Sequence, residues 1–383
     1  VLDLQALGLE ERLQDLALEG SVLRLSGLWG GARALVLAAV ARRLKRPLLV
    51  VTATLKEAEG LTADLRFFLD RDRVQLFPEP EVPAFQPVSP PLEVRAERLQ
   101  RLRELRDHAL SALVLPVRAL FRRLPPPDAL DTTTLHLYPH RIVPLEQVVE
   151  VLEVGGYRAV SQVEQAGEYS RRGGILDIGL PQLGHPVRLE FFGDEIESLR
   201  YFDVGTQRSL TARERVDGAG PERVEGVTLL PLSEILLTRA SREVARRRLG
   251  PRTPALVRGA IETGRLAPGL ERYLPFFYPG TVSLWDYVSP ETVVVWDDPD
   301  QGAAAAAAAE RHLQEEYARH PGEGLPPLHA THLRWAEIQA TLGARPRIDL
   351  APFLPAPGQA DPGTACETTA IPSYRGRFTV LVR

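Results

Sequence analysis

The sequence predicts an α/β protein: a parallel sheet with helices on both faces, interrupted by a small α+β unit built on an antiparallel sheet. Three observations carry this. From residue 1 to about 120, strand-like and helix-like stretches alternate, the order that buries a parallel sheet between two helical layers. Between residues 128 and 213, short runs with in–out alternation take over, joined by turn-forming pairs. From 214 the helix-rich pattern returns, so the middle unit reads as an insertion into the first.

The elements follow in order. "SVLRLSG" (21–27) is a short strand entering a glycine turn, and "GARALVLAAVARRL" (31–44) is an apolar helix. "RPLLVVTAT" (46–54) is the continuous apolar run of a strand buried on both faces. "TLKEAEGLTADLRFFL" is a helix capped by Thr52 or Thr54, and "RVQLF" a further strand. "PEPEVPAFQPVSPP" (78–91) carries too many prolines for regular structure. "LEVRAERLQRLRELRDHAL" is an arginine-rich helix whose interleaved acids point to an ion-paired, solvated surface. "SALVLPV" closes the first set of strands, and "RRLPPPDALD" reads as a linker.

In the inserted unit, "TLHLYPHRIV" and "YRAVSQV" flank a helix, "PLEQVVEVLEVGG", that ends on glycines. "GGILDIGLP", "HPVRLEFF" and "EIESLRYFDV" are strands, the last two joined by the tight-turn pair Gly193–Asp194. After it come helices in "LSEILLTRASREVARRRL" and "AAAAAAAERHLQEEYARH", and a buried strand, "ETVVVWDDPD", that ends in a solvated acidic turn. Residues 346–373, rich in Pro, Gly and Thr, read as a tether. The organisation expected is 1–127 and 214–345 for the two parts of the sheet domain, 128–213 for the insertion, 346–373 for a linker and 374–383 for the start of a further domain.

Composition narrows the function. Hydrophobic residues make up 44% and charged residues 25%, the proportions of an ordinary globular protein. The net charge of -4 gives no global field for nucleic acid, so any such contact needs a local patch. Cys366 is the single cysteine, which excludes an internal disulfide framework. No apolar run is long enough to span a membrane, and the first residues do not form a signal peptide. A cytoplasmic protein is expected. The missing methionine and the strand-like ending "RFTVLVR" suggest the front of a longer protein.

The first turn has the outline of a phosphate-binding loop, which needs the pattern G-x-x-x-x-G-K-[ST]. Here Gly27, Gly30 and Gly31 are followed by Ala32, Arg33 and Ala34. Ala34 offers no hydroxyl to magnesium, Ala32 replaces the second glycine, and a forked Arg33 does not substitute for lysine. The loop therefore reads as degenerate: neither nucleotide nor metal is expected there. Asp297 and Asp298 are conceivable magnesium ligands, but a strand ending at a solvated Asp-Asp-Pro turn explains them better. His329 and His332 in "HATH" lack the further ligands of a zinc set.

A longer motif is more specific. "RGGILDI", "RLEFFGDEIESLR" and "FDVGTQRS", within residues 168–210, resemble the inserted domain shared by UvrB and the transcription-repair coupling factors (Mfd). "SALVLPVRALFRRLPP", "LPLSEIL" and "VSLWDYVSPETVVVWDDP" fit the same module in order. The resemblance implies a degenerate RecA-like, P-loop helicase-type sheet domain carrying the insertion, as in UvrB. UvrB keeps an intact phosphate loop and a long aromatic hairpin. The stretch here, with Phe85 as its one interior aromatic, does not, which points to the N-terminal UvrB-like module of the coupling factors.

That resemblance implies a non-catalytic adaptor that recruits UvrA to stalled RNA polymerase in nucleotide excision repair. It further implies that ATP, magnesium, the polymerase and double-stranded DNA are handled by other parts of the full-length protein. It places UvrA contacts on Arg172, Arg188 and Phe192, with Arg171 and Glu190 as neighbours. Read from the residues alone, these arginines are a solvated sheet face with Phe192 in the core, and it is the resemblance that turns them into contacts. The alternative function is a UvrB-like, ATP-dependent DNA-damage-binding protein, against which Ala32, Arg33, Ala34 and the missing hairpin speak.

Overall fold

The computed structural model describes residues 5, 9–16, 20–80, 82–210, 225–354 and 364–366. Along the chain run β1 (Val22–Ser26), β2 (Leu48–Thr52), β3 (Val74–Leu76), β4 (Ala112–Pro116), β5 (Leu135–Leu137), β6 (Arg158–Ala159) and β7 (Glu168–Arg172). They are followed by β8 (Ile175–Ile178), β9 (Val187–Phe192), β10 (Glu195–Tyr201), β11 (Val227–Leu229), β12 (Val293–Asp297), β13 (Arg347–Ala351) and β14 (Thr364–Ala365).

Seven of these form one sheet in the order β14-β1-β13-β12-β2-β4-β3, and every neighbouring pair is parallel. The apolar runs explain it. In β2, β4 and β12 all five residues are buried, because alternate side chains enter two different cores. Leu49, Val51, Leu113, Leu115, Val294 and Trp296 fill one face, and Leu48, Val50, Ala112, Val114, Val293 and Val295 fill the other. Helices Gly31–Leu44 and Leu55–Phe68 cover the second face. Thr54, not Thr52, caps the latter, in a reciprocal capping box with Glu57.

Several expectations are corrected. Residues 346–373 do not form a tether throughout: Arg347–Ala351 are a central strand between β1 and β12, and Thr364–Ala365 extend the sheet beyond β1. The flanking prolines and Asp349 hide β13 in the sequence, but Arg347 binds that carboxylate with both Nε and Nη2 (2.6 and 3.1 Å). The helix expected from 232 begins only at Arg239. The stretch "RFTVLVR" lies outside the described residues.

The arginine helix, Leu92–Arg106, is not simply a solvated surface. Arg98 is 2% exposed and donates through Nε to Glu234 (3.0 Å) and through Nη1 to the Pro78 carbonyl (2.9 Å). Its guanidinium also lies over the Phe77 ring. Arg122 reaches the same carboxylate (3.2 Å). Burial pushes the Glu234 carboxyl up, but the two guanidinia outweigh it and hold the group below its ordinary value.

The inserted unit is a five-stranded sheet in the order β10-β9-β8-β7-β6, antiparallel except for β6 with β7. Helix Leu145–Val154 packs on one face, through Val148 and Leu152 against Leu176 and Leu189. The boundary expected at 213 falls short. β11 pairs with β5, and Val227 and Leu229 join the same core. Among the described residues no helix is long and apolar enough to cross a membrane.

Candidate partner-binding face

Two hairpins set the geometry of the insertion's open face. Arg172–Gly173–Gly174–Ile175 and Phe192–Gly193–Asp194–Glu195 each turn on two residues, and Gly173 (φ 62°) and Gly193 (φ 61°) take the left-handed backbone that such turns need. In β9, Val187 and Leu189 enter the core, while Arg188, Glu190 and Phe192 face away from it. Register carries this face across the sheet: Arg172 opposes Ile175, Ile175 opposes Glu190, Asp177 opposes Arg188, and Arg188 opposes Arg200. Arg172, Arg188 and Phe192 thus come together on one surface.

Their environments differ. Phe192 is 80% exposed, so it is not the core residue that the strand pattern alone allowed. The Arg188 side chain is only 14% exposed. Its Nε and Nη2 hold the two oxygens of Asp177 (2.7 and 2.9 Å), its Nη1 donates to the Gln207 carbonyl (3.2 Å), and its guanidinium lies over Phe202. These hydrogen bonds to Asp177 push the guanidinium's pKa up against the opposing effect of burial. Arg172, with a half-exposed side chain, donates to the same Asp177 oxygen from the other side (2.8 Å). Asp177 itself has no exposed surface.

Arg172 and Phe192 therefore meet solvent, and Arg188 works from beneath them. Glu190 lies on the face, accepting from Ser198 (2.7 Å) with Arg200 beside it (3.6 Å). Arg171 does not: it opposes Leu176 on the helix side and pairs with Glu146 (2.7 Å). Asp177, Ser198 and Arg200 escape the sequence reading. An aspartate inside an apolar strand is the one signal that could have found Asp177.

The first glycine turn leads elsewhere. Gly27 (φ 79°) admits the backbone of Cys366, whose N–H donates to the Ser26 carbonyl (2.8 Å). A Cβ on Gly27 would run into the Cys366 carbonyl and into Leu354 Cδ2 (2.8 Å). Gly30 and Gly31 start the helix that carries Ala32, Arg33 and Ala34. Arg33 donates to Asp297. Asp297 is 5% exposed, so the acidic strand end is not the solvated turn expected. Burial pushes its carboxyl up, and Arg33 offsets part of this. Asp298 caps the helix Pro299–Ala318 by accepting from the Gln301 N–H (3.2 Å). His332 is enclosed, and burial with Arg122 and Arg123 nearby pushes it down to about 3. Among the described residues no group of three or more His, Cys, Asp or Glu side chains is placed to hold a metal.

Comparison with known proteins places the sheet face in context. Residues 135–218 match the family model of the UvrB interaction domain. The chain is 35% identical over 323 residues to a transcription-repair-coupling factor of Myxococcus xanthus, covering 79% of this chain and 26% of that protein. Proteins of the same name from Haemophilus influenzae and Escherichia coli are 29% and 28% identical, over 85% and 89% of this chain. The chain spans about a quarter of the length of these relatives, 28% and 29% for the last two.

Proposed function

We propose that this chain is the UvrB-like module of a bacterial transcription-repair coupling factor, a non-catalytic adaptor that engages the excision-repair machinery. Its partner is UvrA, and its recognition surface is the open face of the inserted sheet. The observation that carries this reading is the pairing of exposure and pre-organisation there. Phe192 stands out at 80% exposure beside Arg172, while the buried Asp177 and Arg188 hold the strands beneath in one arrangement. An aromatic beside an arginine is the composition of interface hot spots, and a fixed fork loses little entropy on docking.

The sheet domain serves as a RecA-like scaffold in this reading, divided by the insertion. Its degenerate loop supports an adaptor over an ATPase, because Arg33, the cation in the slot where a phosphate loop has lysine, is engaged by Asp297. RNA polymerase and duplex DNA are met by other parts of the full-length protein. The test is a titration against purified UvrA. Wild type should bind, and Phe192→Ala should weaken binding by about 2 kcal/mol without loss of fold. Equal binding by wild type and variant, or none by wild type, rejects the reading.

A further inference from the structure

The edge of the inserted sheet beyond β10 is covered by residues 140–143, which run along it. His140 N–H donates to the Ile196 carbonyl (2.7 Å), Ile196 N–H to the Arg141 carbonyl (3.0 Å), and Val143 N–H to the Asp194 carbonyl (2.7 Å). Ile142 stands opposite Glu195 in an antiparallel bridge, and Glu195 stands opposite Phe192. Directly opposed residues of antiparallel pairs project from the same face. Ile142, Glu195 and Phe192 therefore form one row across the face that bears Arg172 and Arg188.

The exposures fit this geometry. Ile142 is 78% exposed, whereas its neighbour Val143 is 3% exposed and belongs to the core. Between the two apolar side chains, Glu195 is held by His140 Nδ1 (2.9 Å). On the far side of Phe192 the sheet drops to Gly173, where even a Cβ would meet nothing within 4 Å. Single exposed hydrophobics are ordinary. Here two lie in one row, spaced by two strands or about 10 Å, beside a half-exposed arginine. An edge strand is better protected by a charge at the position of Ile142, so its isoleucine does not serve the fold.

We propose that Ile142 is a second apolar anchor of the UvrA-binding surface. The surface is then assembled from two separate stretches, the hairpins of residues 172–195 and the edge segment 140–143. This rests on the reading that the face binds UvrA. The complementary surface of UvrA has two apolar seats flanking a polar or basic group that meets Glu195, with carboxylate near Arg172.

The test compares UvrA binding by wild type, Phe192→Ala, Ile142→Ala and Ile142→Lys, each checked for unchanged thermal unfolding. Both Ile142 variants should weaken binding about tenfold or more, as an anchor would. A photo-crosslinking residue at position 142 should capture UvrA in the otherwise unaltered chain. Wild-type affinity in the Ile142 variants and no crosslink, with Phe192→Ala impaired, overturns the second anchor and leaves the UvrA reading standing. No binding by wild type, or an unimpaired Phe192→Ala, overturns both.

Discussion

Arg188 and Asp177 form a two-pronged pair across β8 and β9: Nε meets Oδ1 at 2.7 Å and Nη2 meets Oδ2 at 2.9 Å. Arg172 shares the second oxygen (2.8 Å), so one carboxylate without exposed surface positions two arginines. Removing the carboxylate leaves the enclosed Arg188 without its bidentate counter-charge, the Gln207 carbonyl being its remaining acceptor. Asp177→Ala should cost about 3 kcal/mol of stability, measured by urea unfolding of the chain. It should also weaken UvrA binding in the fraction that remains folded. A variant as stable as wild type would show that Arg188 finds another partner.

Glu234 does the corresponding work between the two parts of the sheet domain, joining Arg98 and Arg122 of the first part to the chain that follows the insertion. Its carboxyl is held below its ordinary value of 4.5 because Arg122 and Arg98 outweigh the effect of burial. A carboxylate with a depressed pKa in the folded state adds stability above its unfolded value, and that stability is lost as pH falls through the folded value. The chain should therefore lose stability below about pH 4.5, and Glu234→Gln should flatten that slope. At pH 7 the same variant should be destabilised by roughly 3 kcal/mol, since two guanidinia lose their counter-charge. Unfolding free energies measured from pH 3 to 7 decide both points.

The Arg33–Asp297 pair leads to a binding prediction. Titration with labelled ATP and magnesium should give no saturable binding to this chain, because the available cation is already neutralised and Ala34 carries no hydroxyl. Saturation at micromolar or millimolar ATP would refute that account of the loop.

Gly27 offers a fourth handle, through packing. Gly27→Ala forces a Cβ into the Cys366 carbonyl and places alanine at a positive φ, so β14 should detach from β1. The readout is the thiol of Cys366, which is 4% exposed and whose pKa burial pushes up. A thiol reagent should label it much faster in the variant than in wild type. Equal rates would mean that the strand accommodates the methyl group.

The elements that the sequence reveals are those specified locally. The buried runs of β2, β4 and β12 and the turn at Gly193 each depend on a few adjacent residues and are where the pattern puts them, and the cap falls on Thr54, one of the two threonines the pattern offers. What the pattern misses depends on partners far along the chain. Arg98 looks solvated until Glu234 meets it, and β13 reads as tether until β1 and β12 pair with it on both sides. The proposed recognition face divides in the same way. Arg172, Arg188 and Phe192 are visible in a contiguous motif, and period 2 puts Arg188 and Phe192 on one face. Asp177 is hidden as an acid within an apolar strand, and Ile142 reaches the face only through the pairing of a segment outside the motif.

The order of the large sheet has a consequence for synthesis. β1 precedes every other strand of the described chain, yet it is flanked by β13 and β14, which follow them all. Its hydrogen-bonding partners do not exist while the ribosome is still producing the middle of the chain. The antiparallel insertion, by contrast, has all its strands once Leu229 has emerged. Local pairings close quickly and distant ones slowly, and units fold as they leave the ribosome. The insertion's sheet can thus close on the nascent chain before the large sheet does, and β1 waits for partners that lie more than 300 residues further along.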